Sequence, residues 1–110
     1  MIINLIQFFK ILSDESKFKI IKYLMKGEKC VCIIAQDLSM EQSLVSHHIN
    51  TLRKAGLIIN RKVGSWVHCS LDVALFQKLE NLFMNELSSG KIINKKCTDH
   101  LACCELSKKI

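Results

Sequence analysis

Between Val31 and Gly56 two short apolar-striped segments are separated by nothing but Ser39-Met40, and no other stretch restricts the possible folds as tightly. The first, Val31 to about Leu38, sets Ile33, Ile34 and Leu38 at helical spacing. The second, about Glu41 to Ala55, carries Leu44, Val45, Ile49 and Leu52 as one core-facing stripe before Gly56 stops it. Its other side is polar, with Gln42, Ser43, Ser46, His47, Asn50 and Arg53 outward. Two short helices, a tight turn and a polar outer face on the second helix make a helix-turn-helix, whose second helix reads base edges in the major groove. Those six residues are the candidate DNA-reading positions.

The flanking pattern completes a fold. Ile2 to about Leu12 is helical and apolar on more than one side, and Ser13-Asp14 caps a second helix that carries Phe18, Ile21, Tyr23, Leu24 and Met25 and ends at Gly27. Lys17, Lys19, Lys22 and Lys26 take the polar side of that helix as a solvated face. After Gly56 the period changes to two. Leu57–Asn60 and Trp66–Leu71 read as strands joined by a basic loop, Arg61-Lys62-Val63-Gly64-Ser65. A hairpin behind a recognition helix is a wing, and Arg61 and Lys62 are its candidate phosphate contacts. On the second strand Trp66, His68 and Ser70 share one face, while Val67, Cys69 and Leu71 share the other, with Cys69 toward the core. Val73 to about Leu87 is a last helix. Its apolar face, which includes Leu75, Phe76, Leu79, Leu82, Phe83 and Leu87, is wide enough to pack against a second subunit beside the first helix. The expected architecture is mostly α with a small β-hairpin: a dimeric winged helix-turn-helix over residues 1–90, followed by a Cys/Lys-rich tail over residues 91–110.

Composition removes several classes. At 110 residues and 49% hydrophobic content the chain makes one domain, small enough for dimerisation to complete its core. A net charge of +6 and a pI near 9.1 suit an anionic partner. Half of that excess lies in the tail, where Lys91, Lys95, Lys96, Lys108 and Lys109 face only Asp99 and Glu105. No apolar run reaches the roughly 18–20 residues of a membrane span, and Met1–Leu12 lacks the basic start and small-residue cleavage site of a secretory leader. A cytoplasmic protein with no membrane contact is expected. Its six cysteines then read as free thiols, metal ligands or redox sensors rather than a disulfide framework. No acid–base pair, nucleophile constellation or phosphate loop marks an enzyme.

Cys30 and Cys32 stand where the first helix of the helix-turn-helix begins. Thiolates suit soft, thiophilic centres, and the free N–H groups of a helix N-terminus favour the thiolate. Residues two apart do not face each other on a regular helix. For both sulfurs to hold one ion, the first turn must unwind or begin after Cys30, and capture of an ion is expected to distort the base of the helix-turn-helix. His47 and His48, adjacent on one helix, cannot chelate one ion; His47 reads as a DNA contact and His48 as partly buried.

The runs Ile11-Leu12-Ser13-Asp14-Glu15-Ser16-Lys17, Glu28-Lys29-Cys30-Val31-Cys32, and Gln42-Ser43-Leu44-Val45-Ser46-His47-His48-Ile49 through Gly56-Leu57-Ile58, with Gly64-Ser65-Trp66-Val67, resemble the ArsR/SmtB family of winged-helix repressors over roughly residues 5–87. The resemblance implies a homodimer on double-stranded operator DNA that represses a metal- or stress-resistance operon and leaves when its inducer binds. Cys-Val-Cys is similar to the metalloid box of the arsenic-responsive branch. The implied inducer is As(III) or Sb(III), with Cd(II), Pb(II) or Zn(II) as alternatives. The chain departs from the family in places. Glu15 stands where Pro is frequent, Leu44 where Thr is common, and Ala35 where the fullest metalloid motif has a third Cys. No Cys precedes Cys30, and no His lies between Asp72 and Gly90, where some members carry a zinc site. A third ligand comes from the tail, from a small thiol, or does not exist. The tail offers Cys97, Cys103 and Cys104, with His100 between, as a site of its own or as donors to Cys30 and Cys32. The rival readings are a thiol redox or persulfide switch on the same fold, and a metal-trafficking or partner-binding protein without an operator.

Overall fold

The computed structural model describes residues 3–88; Cys97, Cys103 and Cys104 lie outside the described residues. In chain order the elements are α1 (Leu5–Leu12), α2 (Glu15–Leu24), β1 (Lys29–Cys30), α3 (Val31–Asp37), α4 (Gln42–Lys54), β2 (Ile58–Val63), β3 (Trp66–Leu71) and α5 (Val73–Ser88). The strands form one antiparallel sheet in the order β1-β3-β2. This is the mostly α winged helix-turn-helix that the periodicities imply.

Short polar side chains place the helix boundaries. α1 starts later than Ile2 because Asn4 and Gln7 cap it reciprocally: the Gln7 N–H donates to Asn4 Oδ1 at 2.8 Å, and the Asn4 N–H donates to Gln7 Oε1 at 3.3 Å. Asp14 caps α2, accepting from the Lys17 N–H at 3.1 Å, and that bond holds its carboxyl below the ordinary carboxylate range. Asp72 accepts from the Leu75 N–H at 3.2 Å to start α5. The Asp72 N–H donates to the Leu57 carbonyl at 3.0 Å, tying the last helix to the root of β2. The turn between α3 and α4 closes with Met40 N–H on the Ala35 carbonyl at 2.9 Å and puts Ser39 at φ +53°. That left-handed conformation costs a residue with a Cβ about 1–2 kcal/mol.

The core lies between α2, α3, α4 and the sheet. Ile20, Ile21, Leu24, Ile34, Val45, Ile49, Leu52, Leu57, Ile58, Cys69 and Leu79 are among its buried members. On α4 the buried stripe is Val45, His48, Ile49 and Leu52. Leu44, expected on that stripe, is 44% exposed instead. It sits about 100° round the helix from Val45, and His48, one turn on, occupies the core side.

The wing also differs from expectation. Pairing runs from Ile58↔Leu71 to Val63↔Trp66, so Arg61, Lys62 and Val63 are strand residues and only Gly64-Ser65 makes the turn. Gly64 at φ +61° provides the positive φ that lets a two-residue turn match the twist of the strands. β1 has no counterpart in the sequence reading. Its two residues pair Lys29↔Cys69 and Cys30↔His68, and so short a strand has no periodicity to read.

Candidate metal and nucleic-acid site

Cys30 is the last residue of β1 and the N-cap of α3, with extended backbone (φ −72°, ψ 145°), while Cys32 lies in the first turn. The helix therefore begins after Cys30, and the two sulfurs meet at 3.0 Å with α3 intact. No unwinding is needed to bring them together, so the expected distortion does not follow from their spacing. Two thiolates on one tetrahedral metal at ~2.3 Å are ~3.8 Å apart, so a small rotation of either side chain admits an ion. The hydrogen bond with Cys32 draws the Cys30 thiol below its ordinary range; burial opposes this, and the N–H groups at the helix start assist it. The same hydrogen bond, with burial, raises Cys32. A thiophilic cation binds thiolates, so its capture by the pair releases thiol protons. Cys69 contrasts with both: it is buried in the core, and burial pushes it up to about 11. Among the described residues no three His, Cys, Asp or Glu side chains form a complete ligand set, so the pair offers two donors.

The sulfurs open onto a cleft of about 400 Å³ between the start of α3, α4 and the wing. Gln42, Ser46 and Asn50, one stripe of α4, form one wall; Asn60, Trp66 and Val67 of the hairpin form another. All six outward positions expected on α4 are exposed. Ser43 donates to Glu41 at 3.1 Å, and Arg53 donates to Asn50 at 2.8 Å. His47 is exposed, whereas His48 is buried with its Nδ1 unpartnered, and burial first, then Lys17, draws its pKa down. Their ring centroids are 5.8 Å apart in tilted planes, in keeping with one outward and one core histidine rather than a chelating pair. Trp66 is 57% exposed and belongs to the wing rather than the core. Asn60 was not singled out in the sequence; its signal was a lone polar residue after an apolar strand run.

Lys62 is exposed on β2. Arg61 is also exposed, but its guanidinium donates two hydrogen bonds to the Glu28 carboxylate, at 2.6 and 3.2 Å. The Arg61 hydrogen bond holds Glu28 below its ordinary range, and His68 Nδ1 stands 3.8 Å from the same carboxylate. Glu28 carried no local signal, because its partner is 33 residues away.

Residues 14–60 match the family profile described as bacterial regulatory protein, arsR family. The arsenical resistance operon repressor of Escherichia coli (strain K12) is 45% identical over 67 residues, which are 60% of this chain and 57% of that protein. A cadmium resistance transcriptional regulatory protein CadC homolog of Staphylococcus aureus is 35% identical over 86 residues, 76% of this chain and 71% of that protein. Among solved structures, a possible transcriptional regulator for arsenical resistance superposes with a TM-score of 0.62 at 27% identity, covering 67% of this chain and 77% of that one. The matched stretch thus spans little more than half the length of the Escherichia coli repressor. With its helix order, its three-stranded sheet and the extent of these matches, the chain belongs to the arsR family of bacterial regulatory proteins.

Proposed function

We propose that the chain is a homodimeric transcriptional repressor that binds double-stranded operator DNA through α4 and the wing. It is released when a thiophilic metal(loid), As(III) or Sb(III), binds the Cys30 and Cys32 thiolates. The observation that carries this reading is the shared cleft: the two sulfurs, 3.0 Å apart, and the stripe Gln42, Ser46 and Asn50 line one space. Metal capture there removes a proton, adds a cation and reorders the water where a base edge has to fit, so DNA and inducer are in conflict without a long relay. Ser43, His47, Arg53 and Lys62 flank that stripe as further contacts. Relatives named for arsenical and for cadmium resistance support a response to metals in general; Cd(II) and Pb(II) are the alternatives within the same mechanism. A third donor, where the bound ion takes one, comes from Cys97, Cys103 or Cys104 or from a small thiol. The second copy packs on α1 and α5, where Ile6, Phe9, Leu82, Phe83 and Leu87 are exposed.

The same sulfur contact favours a second reading, in which an oxidant joins Cys30 and Cys32 as a reversible disulfide. One titration separates the two: reduced protein on its own promoter fragment, challenged in parallel with arsenite, cadmium and a disulfide oxidant. Arsenite is expected to release native protein, while Cys30→Ser with Cys32→Ser keeps DNA binding and loses the release. Release by oxidant alone assigns the pair to redox sensing. Arsenite release that survives the double substitution assigns sensing to the tail.

A further inference from the structure

The wing arginine is already held by a carboxylate. Arg61 Nη2 lies 2.6 Å from Glu28 Oε1, and its Nε lies 3.2 Å from Oε2, the bidentate fork by which a guanidinium also grips a phosphate. The partners approach from opposite sides of the sheet: Arg61 lies on β2 and Glu28 immediately precedes β1, with β3 between those strands, and the registers Cys30↔His68 and Arg61↔His68 set Cys30, His68 and Arg61 in one row. Glu28 precedes Cys30 by two positions, just after Gly27 turns the chain at φ +125°. The Arg61 and Glu28 side chains are 61% and 33% exposed, so the bridge stands in water where another anion can reach the arginine.

We propose that Glu28 is an internal surrogate for DNA phosphate: it holds Arg61, so a phosphate must displace a carboxylate to recruit the wing arginine. Glu28 thereby sets the affinity and salt dependence of the wing contact, as a positioning residue that never touches DNA itself. The proposal rests on the DNA-binding reading above. Its consequence is selectivity. A passing phosphate meets an arginine that is already neutralised, and only a duplex docked on α4 holds a phosphate in bidentate reach long enough to compete.

The test uses the full reduced chain and a mixed-sequence DNA duplex, with binding followed by fluorescence anisotropy over a series of salt concentrations. Glu28→Gln is expected to tighten binding about two- to fivefold at low salt, the range of an exposed bridge. It should also steepen the slope of log K against log salt by up to about 0.9, the value of one more neutralised phosphate. In an Arg61→Gln background the gain should vanish. Glu28→Gln binding no tighter than native overturns the proposal, and so does a gain that persists without Arg61, which would mark a simple effect of net charge. Should Glu28→Gln fail to melt cooperatively, Glu28→Asp keeps the charge, shortens the reach and is expected to tighten binding for the same reason; its failure to do so also overturns the proposal. If no protein, native included, binds the duplex at any salt, the DNA-binding reading itself is wrong.

Discussion

α4 and α5 are both amphipathic, yet they finish differently. α4 buries Val45, His48, Ile49 and Leu52 along one side. Over residues 73–87, α5 fully buries Leu79 and leaves Leu82 and Phe83 at 39% exposure and Leu87 at 60%. α1, its neighbour, fully buries none of its residues, and the two helices meet through edge-to-face pairs, Phe8–Phe76 at 5.6 Å and Phe9–Phe83 at 5.8 Å. The chain therefore has a closed half, in which the helix-turn-helix is satisfied by its own side chains, and an open half, in which α1 and α5 present apolar surface to water. The open half is where a second copy has most to gain.

Truncation should separate the halves most strongly. Leu52→Ala removes a wholly buried side chain of α4 and should cost about 2–5 kcal/mol in urea unfolding. Leu87→Ala at high dilution should cost within about 0.5 kcal/mol of nothing; equal losses at both sites would show that α5 belongs to the closed half. Next in size, Leu82→Gln with Leu87→Gln should weaken self-association at least about tenfold in sedimentation, the equivalent of about 1.4 kcal/mol. A native chain that sediments as a monomer at all concentrations would end the dimer proposal.

Two smaller effects sharpen the closed half. Asp14→Ala should cost about 1 kcal/mol, the usual worth of an N-cap. Because the Asp14 carboxyl titrates below its ordinary value of 3.8, the cap's contribution is complete above that value and disappears as pH falls through the lower folded one. Native and variant stabilities should therefore converge in acid, and a constant difference would contradict the cap. The smallest effect belongs to His48, whose folded pKa lies below 6.5 because burial disfavours the imidazolium. As pH falls through 6.5 the unfolded chain takes up a proton before the folded one does, so stability declines there until the folded value is passed. His48→Gln should flatten that decline in thermal melts from neutral to mildly acidic pH; parallel curves would assign the decline to other groups.

Most of the helices are legible in the sequence. Asp14 marks a cap, Ser39-Met40 a turn, Gly56 a stop, and the outward α4 residues follow from three and four residue spacing. Leu44 departs from its expected stripe because an apolar residue at the edge of a stripe satisfies periodicity whether or not neighbouring elements cover it. The hairpin loop is shorter than its polar residues suggest, because Arg61 and Lys62 sit on an exposed strand face where a polar side chain costs little. At the site the cysteines were legible as a residue type in a telling place. That they meet depended on whether α3 starts at Cys30 or after it, a difference of one residue.

The sequence by itself determined the helix order, the turn, the polar face of α4 and the placement of a thiol pair at the base of α3. Stripes, caps and glycine stops act within about one helical turn, so the local sequence carries them whole. Tertiary structure alone decided that β1 exists, that the cysteine pair shares a cleft with Gln42, Ser46 and Asn50, and that Arg61 is held by Glu28. Each of these depends on groups far apart in the chain, brought together by the register of β3 between β1 and β2, and no local pattern encodes a contact across 33 residues.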